Sequence, residues 1–181
     1  MSKKIVILNG SPRAKGNTAA LIQSFADGAA AAGHTVTPFD LQKMDIRPCL
    51  GCCGGGKDTD SPCVQKDDMQ KIYPAYREAD VVCHASPLYY WNISGQLKCA
   101  FDRLFAVAEC NGNLANPIKD CVLLMAAEGH GFEETAYWYD RLMEHLGWTD
   151  KGKVLCGGIF NVGDIEGHEK LQEAYRLGNS L

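Results

Sequence analysis

A loop of small, polar and basic residues follows the first apolar run of the chain. It reads Asn9-Gly10-Ser11-Pro12-Arg13-Ala14-Lys15-Gly16-Asn17-Thr18 and leads directly into a segment with helical periodicity. The backbone amides and the positive end of a helix favour an anion at such a junction, and two basic side chains add charge. The alternative is an ordinary turn in which a side chain only caps the helix. The pattern predicts an anion-binding loop made by Ser11, Arg13, Gly16, Asn17 and Thr18.

A second loop carries three consecutive aromatic residues after another apolar run. It begins Ser86-Pro87-Leu88-Tyr89-Tyr90-Trp91 and continues to Lys98. Aromatic side chains at the mouth of a sheet suit the face of a planar ring, and nearby amides could meet its polar edge. Simple packing of a crossover loop, or a subunit contact, is the alternative. We interpret the segment as a ring-binding loop formed by Pro87, Leu88, Tyr89, Tyr90 and Trp91.

A third loop, Ala126-Ala127-Glu128-Gly129-His130-Gly131-Phe132, also follows an apolar run. Its two glycines permit a ligand to approach the backbone closely. Glu128 and His130 could lie near the edge of a bound ring, or they could be solvated turn residues. In a doubly wound sheet the three loops converge on one crevice, which is the strongest indication that they share a ligand.

Nine cysteines are many for 181 residues. Cys83, Cys99, Cys110, Cys121 and Cys156 are scattered along apparent strands and helices, and we interpret them as small buried apolar residues. The other four lie within fifteen residues. They could bind an iron–sulfur cluster or zinc, or they could form an unligated, redox-active loop. A zinc site is less well supported, because the sequence has no second Cys-x-x-Cys pair. These four are Cys49, Cys52, Cys53 and Cys63.

Strand and helix patterns alternate from one end of the sequence to the other. The apolar runs 4–8, 80–85, 121–126 and 154–160 predict strands covered on both faces, and the less apolar run 35–41 predicts an edge strand. Apolar residues at helical spacing predict helices near 17–32, 97–105, 132–146 and 166–177. A further helix over 67–78 should kink or restart at Pro74. This alternation predicts a parallel sheet with helices on both faces.

The bulk properties exclude several classes of protein. The length fits one domain, 1–181, interrupted by a long cysteine- and glycine-rich insertion at 43–66. The net charge of -4 disfavours a nucleic-acid partner. No run approaches the roughly 18 apolar residues of a membrane span. The first apolar run is also too short for an export signal, so we expect a cytoplasmic protein.

The two loop motifs, Gly10-Ser11-Pro12-Arg13 with Gly16-Asn17-Thr18 and Ser86-Pro87-Leu88-Tyr89-Tyr90 with its continuation to Arg103, resemble those of the NADPH-dependent FMN reductase family. The resemblance extends over essentially the whole chain. It implies a flavodoxin-like three-layer αβα sandwich with a five-stranded parallel sheet of order 2-1-3-4-5. It also implies that Ser11, Arg13, Asn17 and Thr18 hold the FMN phosphate, and that Pro87–Trp91, with Glu128 and Gly129, hold the isoalloxazine.

The same resemblance implies an NAD(P)H oxidoreductase. Hydride would pass from NADPH or NADH through bound FMN to a small acceptor such as a quinone, a nitro compound or free flavin, and the chain would form a homodimer. The alternatives are an iron–sulfur and FMN electron carrier that serves protein partners, and a non-catalytic redox-sensing module. One branch of the family has a four-cysteine cluster motif here, but Gly55 stands where its third cysteine is expected. A cluster is therefore not favoured.

Overall fold

The computed structural model describes residues 1–181 and contains five strands and six α-helices. A single 3-10 turn, Leu41–Lys43, precedes the cysteine-rich segment. The elements in chain order are β1 (Lys4–Asn9), α1 (Asn17–Ala31), β2 (Thr35–Asp40), α2 (Met69–Glu78), β3 (Val81–Pro87), α3 (Gly95–Arg103), α4 (Phe105–Glu109), β4 (Asp120–Ala126), α5 (Glu133–Leu146), β5 (Thr149–Cys156) and α6 (Glu169–Asn179).

All five strands form one parallel sheet in the order β2-β1-β3-β4-β5. This confirms the predicted flavodoxin-like topology and places β2 at an edge, as its lower apolar content indicated. The order reverses direction beside β1, and the carboxyl ends of parallel strands next to such a reversal are where ligands bind in open α/β sheets. The loops after β1, β3 and β4 therefore leave the sheet on the same side, at the carboxyl ends of the strands.

Successive residues of each strand point to opposite faces of the sheet, so the two faces bury two separate cores. Val6 and Leu8 of β1 join the core covered by α2, α3, α4 and α5. Ile5 and Ile7 join the core covered by α1 and α6. The result is the predicted three-layer sandwich. None of the helices combines the length and the apolar character that a membrane crossing requires.

The helices α1 and α6 pack backbone against backbone. A Cβ atom at Gly28 of α1 would collide with the carbonyl oxygen of Tyr175, and one at Gly178 of α6 would collide with the carbonyl oxygen of Phe25. The Asn179 side chain also donates a hydrogen bond to the carbonyl of Gly28, 151 residues earlier in the chain. Glycine on both helices is what permits this close approach.

Two of the predicted elements were wrong in detail. The last strand runs Thr149–Cys156 rather than 154–160, because its first half is polar and lies exposed at the sheet edge, where no apolar run is needed. Residues 157–160 belong instead to the loop that follows. The helix α2 runs from Met69 to Glu78 as one element with Pro74 inside it, so the restart that was one of the two predicted outcomes does not occur.

His84 on β3 is completely buried in the core beneath α3 and α5. Its Nδ1 atom lies 3.3 Å from the Cys121 Sγ atom, and its Nε2 atom has no hydrogen-bond partner. The ring packs edge-on against Phe101. Burial lowers the pKa of His84 to about 4, so the side chain is neutral at physiological pH.

Candidate functional site

The loop after β1 is tied to the loops after β3. The Gly10 amide donates to the carbonyl of Ala85, 2.8 Å away, and the Ser94 hydroxyl donates to the carbonyl of Gly10, 2.7 Å away. A Cβ atom at Gly10 would collide with Ser94 Oγ and would lie 2.7 Å from Leu97 Cβ. The Ser94 oxygen also caps α3 by accepting from the Leu97 amide. A glycine at position 10 is therefore required for the two loops to meet.

The start of α1 is open to a ligand. Its N-cap residue is Gly16, which has no side chain to cap the helix. The amides of Asn17, Thr18 and Ala19 have no hydrogen-bond partner, although the first two residues are buried. Unpaired amides at a helix start carry partial positive charge, and the exposed Arg13 side chain stands beside them. This geometry is suited to an anion.

The side chain of Asn17, one of the residues predicted to hold the phosphate, forms hydrogen bonds to another loop. Its amide nitrogen donates to the carbonyl of Asn161 at 2.9 Å, and its oxygen accepts from the Gly163 amide at 3.3 Å. The side chain therefore holds the loop after β5 against α1. The Arg13 guanidinium makes a similar tie by donating to the carbonyl of Phe160 at 3.1 Å.

The loop after β5 is fixed from its other end by Asp164. The Asp164 carboxylate accepts from the amide of Asn161 at 2.6 Å and from that of Phe160 at 2.9 Å. These two hydrogen bonds hold the pKa of Asp164 below its usual value. Phe160 is consequently held beside the start of α1, a position that its assignment to the last strand did not predict.

The aromatic loop after β3 makes a two-residue turn. Tyr89 and Asn92 exchange backbone hydrogen bonds of 2.9 and 3.1 Å, while Tyr90 and Trp91 between them both have positive φ, 47° and 58°. Such turns usually carry asparagine or glycine, and aromatic residues in this conformation store roughly 1–3 kcal/mol of strain each. Strain of this size is typical of functional sites. The hydroxyl of Thr135 supports the turn by donating to the Trp91 carbonyl.

The side chains of that turn face outward. Tyr90 is 94% exposed, and Tyr89 and Trp91 are also exposed. The amides of Tyr90 and Trp91 have no hydrogen-bond partner. The turn thus presents aromatic faces and unpaired amide donors together, which is the combination expected of a loop that receives a planar heterocycle.

The loop after β4 lies next to the aromatic turn. A Cβ atom at Gly131 would lie 3.3 Å from the Trp91 indole nitrogen. The exposed His130 ring packs against Gly157, where a Cβ atom would lie 3.1 Å from one ring carbon. The Glu128 carbonyl accepts from the Gly158 amide, and the Glu128 side chain is exposed.

One cavity of about 210 Å³ joins these loops at the carboxyl edge of the sheet. It brings together all of the predicted site residues except Tyr90, Trp91 and Gly129, which line an adjoining cavity shared with Leu88 and Glu128. The roles of these residues stay predictions. Four further residues line the cavity. The first two belong to the third loop but were not predicted as site residues, and the last two follow the Gly157-Gly158 pair just after β5 and were missed. The four are Ala126, Ala127, Ile159 and Phe160.

A second cavity lies between the cysteine-rich segment and α3–α4. It is small, about 50 Å³, and its mouth is lined by exposed thiols. Among its lining residues are the carboxylates of Asp102 and Glu109 and the guanidinium of Arg103. All four clustered cysteines line it, and all four are free: Cys49, Cys52, Cys53 and Cys63.

Arg103 holds this segment to the core although it is only 1% exposed. Its five N–H groups donate to Cys63 Sγ, to the carbonyls of Arg47 and Gln65, and to both carboxylate oxygens of Asp67. Burial alone would raise the pKa of Asp67, but hydrogen bonds from Arg103 and from two backbone amides outweigh it, so its pKa lies below the usual value. The ion pair is therefore buried and fully charged.

The strand order and the helix layers define a flavodoxin-like α/β protein with a ligand crevice at the reversal of strand order. The chain belongs to the NADPH-dependent FMN reductase family, whose model matches residues 3–160. It is accordingly an FMN-dependent oxidoreductase.

Individual relatives agree with this family. The chain is 29% identical over 178 residues to an iron–sulfur flavoprotein of Archaeoglobus fulgidus, which covers 98% of this chain and 78% of the relative. Its fold matches that of the NAD(P)H:quinone oxidoreductase from Methanothermobacter marburgensis with a TM-score of 0.75, at 22% identity over 99% of this chain and 97% of that one. The fold also matches that of an FMN-dependent NADH-azoreductase of Bacillus anthracis in complex with FMN. The TM-score is 0.69 at 15% identity, and the match covers 97% of this chain and 96% of that one.

Proposed function

We propose that the chain binds FMN in the 210 Å³ cavity and uses it to oxidise NADPH or NADH, reducing a small acceptor such as a quinone, a nitro compound or free flavin. One observation carries the proposal. The uncapped start of α1 and the strained aromatic turn after β3 open onto adjoining cavities that share Leu88 and Glu128. An anion site next to a ring-binding site matches the two ends of a flavin mononucleotide.

The phosphate would lie at the start of α1. The unpaired amides of Asn17, Thr18 and Ala19 are free to donate hydrogen bonds to an anion, and the Arg13 guanidinium adds a formal positive charge. Ser11 contributes by shaping the loop, because its hydroxyl accepts from the Arg13 amide at 3.2 Å. The Asn17 side chain contributes indirectly, by holding the loop that carries Phe160.

The isoalloxazine would lie against Pro87–Trp91, with Glu128 and Gly129 behind it. The unpaired amides of Tyr90 and Trp91 can donate to the polar edge of the ring system. FMN held by these residues would supply the hydride and electron transfer between the nicotinamide and the acceptor, and the protein would supply position and electrostatics. The exposed aromatic side chains at the mouth leave room for a planar donor or acceptor to stack.

The first experiment compares FMN with riboflavin, which lacks the phosphate. We expect the wild-type protein to bind FMN much more tightly, with flavin absorbance that is bleached by NADPH or NADH without oxygen. Because Arg13 would hold the phosphate, Arg13→Ala should weaken FMN binding about tenfold or more and leave riboflavin binding almost unchanged. Arg141→Ala, an exposed arginine on α5, is the matched control. A protein that refuses FMN would overturn the proposal.

The acceptor is then identified by turnover of the FMN-loaded protein with a quinone, a nitroaromatic compound and free FMN in parallel. Because donor and acceptor would use the same crevice in turn, we expect parallel lines in double-reciprocal plots. Intersecting lines would show that both bind at once, and would contradict this order of events.

A homodimer is also proposed, since the aromatic turn and the insertion at 43–66 could cover the flavin of a second copy. Light scattering of the FMN-loaded protein tests it. We expect twice the mass of one chain, and a single-chain mass across the concentration range would refute the dimer.

A second candidate function is electron transfer to protein partners. The four free thiols around one cavity favour it, because thiolates are the ligands of iron–sulfur clusters. Four thiols match an iron–sulfur cluster in the chemical type and the number of its ligands. They do not fit the regular spacing of four cysteines, since Gly55 provides no ligand.

A further inference from the structure

The carboxylate of Glu109 occupies the space that a side chain at position 55 would need. A Cβ atom at Gly55 would collide with Glu109 Oε2 and would lie 2.8 Å from the carbonyl oxygen of Pro62. A Cβ atom at Gly56 would collide with the Glu109 carbonyl. The two glycines thus bring the end of α4 directly against the cysteine-rich segment.

The spacing of the cysteines gives this contact chemical meaning. Cluster-binding cysteines commonly follow one another with two residues between them, as Cys49 and Cys52 do here. The next position in that repeat is 55. Glycine stands there, and the oxygen of Glu109 lies where the missing side chain would begin. A carboxylate has therefore been placed where the repeat would put a thiolate.

Glu109 is also free of any partner of opposite charge within the chain. Its side chain is half-buried in the cavity and makes no ion pair or hydrogen bond. The two neighbouring carboxylates are paired, Asp102 with Lys98 and Asp67 with Arg103. Glu109 is therefore a carboxylate at this cavity whose negative charge is free to bind a cation.

Cys53 is less suited to be a ligand than its neighbours. It is adjacent to Cys52, has a positive φ of 45°, and its Sγ atom turns back towards the carbonyl of Gly51, 4.0 Å away. Cys63 is better placed, because its Sγ atom accepts from the Arg103 guanidinium at 3.2 Å. Such a hydrogen bond offsets the negative charge of a metal-bound thiolate.

We propose that Glu109 is the fourth protein ligand of an iron–sulfur cluster that is held by Cys49, Cys52 and Cys63. No three cysteine, histidine or acidic side chains are close enough to share a single metal ion. A zinc ion requires four ligands to meet at one point, whereas each ligand of a cluster binds its own iron. The three thiols bind as thiolates and release their protons to solvent. The cluster would lie at the solvent-exposed mouth of the cavity.

The test is reconstitution of the full chain with iron and inorganic sulfide under reducing, oxygen-free conditions. We expect about four iron and four sulfide ions per chain and an EPR signal after reduction. Glu109→Gln should release iron to a chelator at least tenfold faster than the wild type and should shift the EPR signal. Glu109→Cys should restore slow release with a different signal, since a thiolate then replaces the carboxylate.

Two variants serve as controls. Asp102→Asn removes a carboxylate from the same cavity, and Cys53→Ser removes the thiol that the proposal leaves unligated; both should match the wild type in iron content and EPR signal. The unfolding midpoint of every variant is measured without iron, so a folding defect is recognised. Iron loss in Cys53→Ser together with wild-type behaviour of Glu109→Gln would overturn the proposal, as would one zinc ion and no sulfide.

FMN content is measured in the same samples, because the cluster and the proposed FMN site use different residues. A wild-type protein that binds FMN but no iron overturns the cluster alone. A protein that assembles the cluster but refuses FMN overturns the proposed flavin function alone.

Discussion

The two candidate sites of the molecule are built in opposite ways. The larger one lies at the carboxyl ends of four strands, and each of its loops is tied to another loop, as Gly10 is to Ala85 and Ser94. The cysteine-rich segment is tied down mainly at its two ends, where Arg103 gathers Arg47, Cys63, Gln65 and Asp67. The position of the first site is set by the sheet, whereas both ends of the second are held by hydrogen bonds from one buried arginine.

The largest expected effect comes from removing that arginine. Arg103→Met removes the guanidinium that donates to both oxygens of the buried Asp67 carboxylate. Only two backbone amides and the more distant Arg47 guanidinium then remain near that charge, and we expect a loss of about 3–5 kcal/mol in the free energy of unfolding. Urea unfolding measures it. The double variant Arg103→Met with Asp67→Leu should recover much of the loss, because no buried charge then remains. A loss below about 1 kcal/mol in the single variant would show that the second region is held by other contacts.

A pH titration tests the core between the two regions. The folded-state pKa of His84, about 4, is below the unfolded value of 6.5. The stabilising contribution is therefore complete above pH 6.5 and is lost as the pH falls to 4. We expect this residue to remove about 3 kcal/mol of stability over that interval. His84→Leu should reduce the difference between the stabilities at pH 7 and pH 4 by that amount. An unchanged difference would contradict the burial of His84 in its neutral form.

A third variant affects the meeting point of the flavin loops. In Gly10→Ala the added methyl group would collide with Ser94 Oγ, so we expect a cost of about 1–3 kcal/mol in stability together with weaker FMN binding. Gly95→Ala is the matched control, since a Cβ atom there meets nothing within 4 Å. Equal behaviour of the two variants would show that the loops adjust without cost.

The smallest expected effect concerns Asp164. In Asp164→Asn the charged acceptor of two backbone amides is lost, and we expect FMN to dissociate about fivefold more readily, with little change in stability. Glu166→Gln on the same loop is the control. Equilibrium titration with FMN measures the difference. An affinity equal to that of the wild type would mean that Phe160 and Asn161 keep their positions without the carboxylate.

The sheet order and the meeting of the three loops could be predicted, because apolar runs mark the buried strands and a parallel sheet places their carboxyl ends together. The first half of the edge strand β5 was not predicted, because an exposed edge tolerates the polar residues of 149–153. The side-chain role of Asn17 could not be foreseen, because its partners lie about 145 residues later, on a loop that has no periodic signal.

The four cysteines were recognised from their crowding, but Glu109 was not. It comes from α4, 46 residues beyond Cys63, and nothing in its own surroundings in the sequence marks it. Its position depends on how the glycines at 55 and 56 let two segments touch, which is a property of the folded chain. Sequence spacing finds ligands on one segment and misses those supplied by another.

The backbone contact between α1 and α6 has a consequence for how the chain folds. Helix α1 is among the first parts of the protein to be synthesised, yet Gly178 of α6, which packs against the backbone of Phe25, is made about 150 residues later. Native pairings between such distant segments are slow to form. The face of α1 that packs on α6 can therefore be covered only when synthesis is nearly complete, and the outer layer on this side of the sheet closes last.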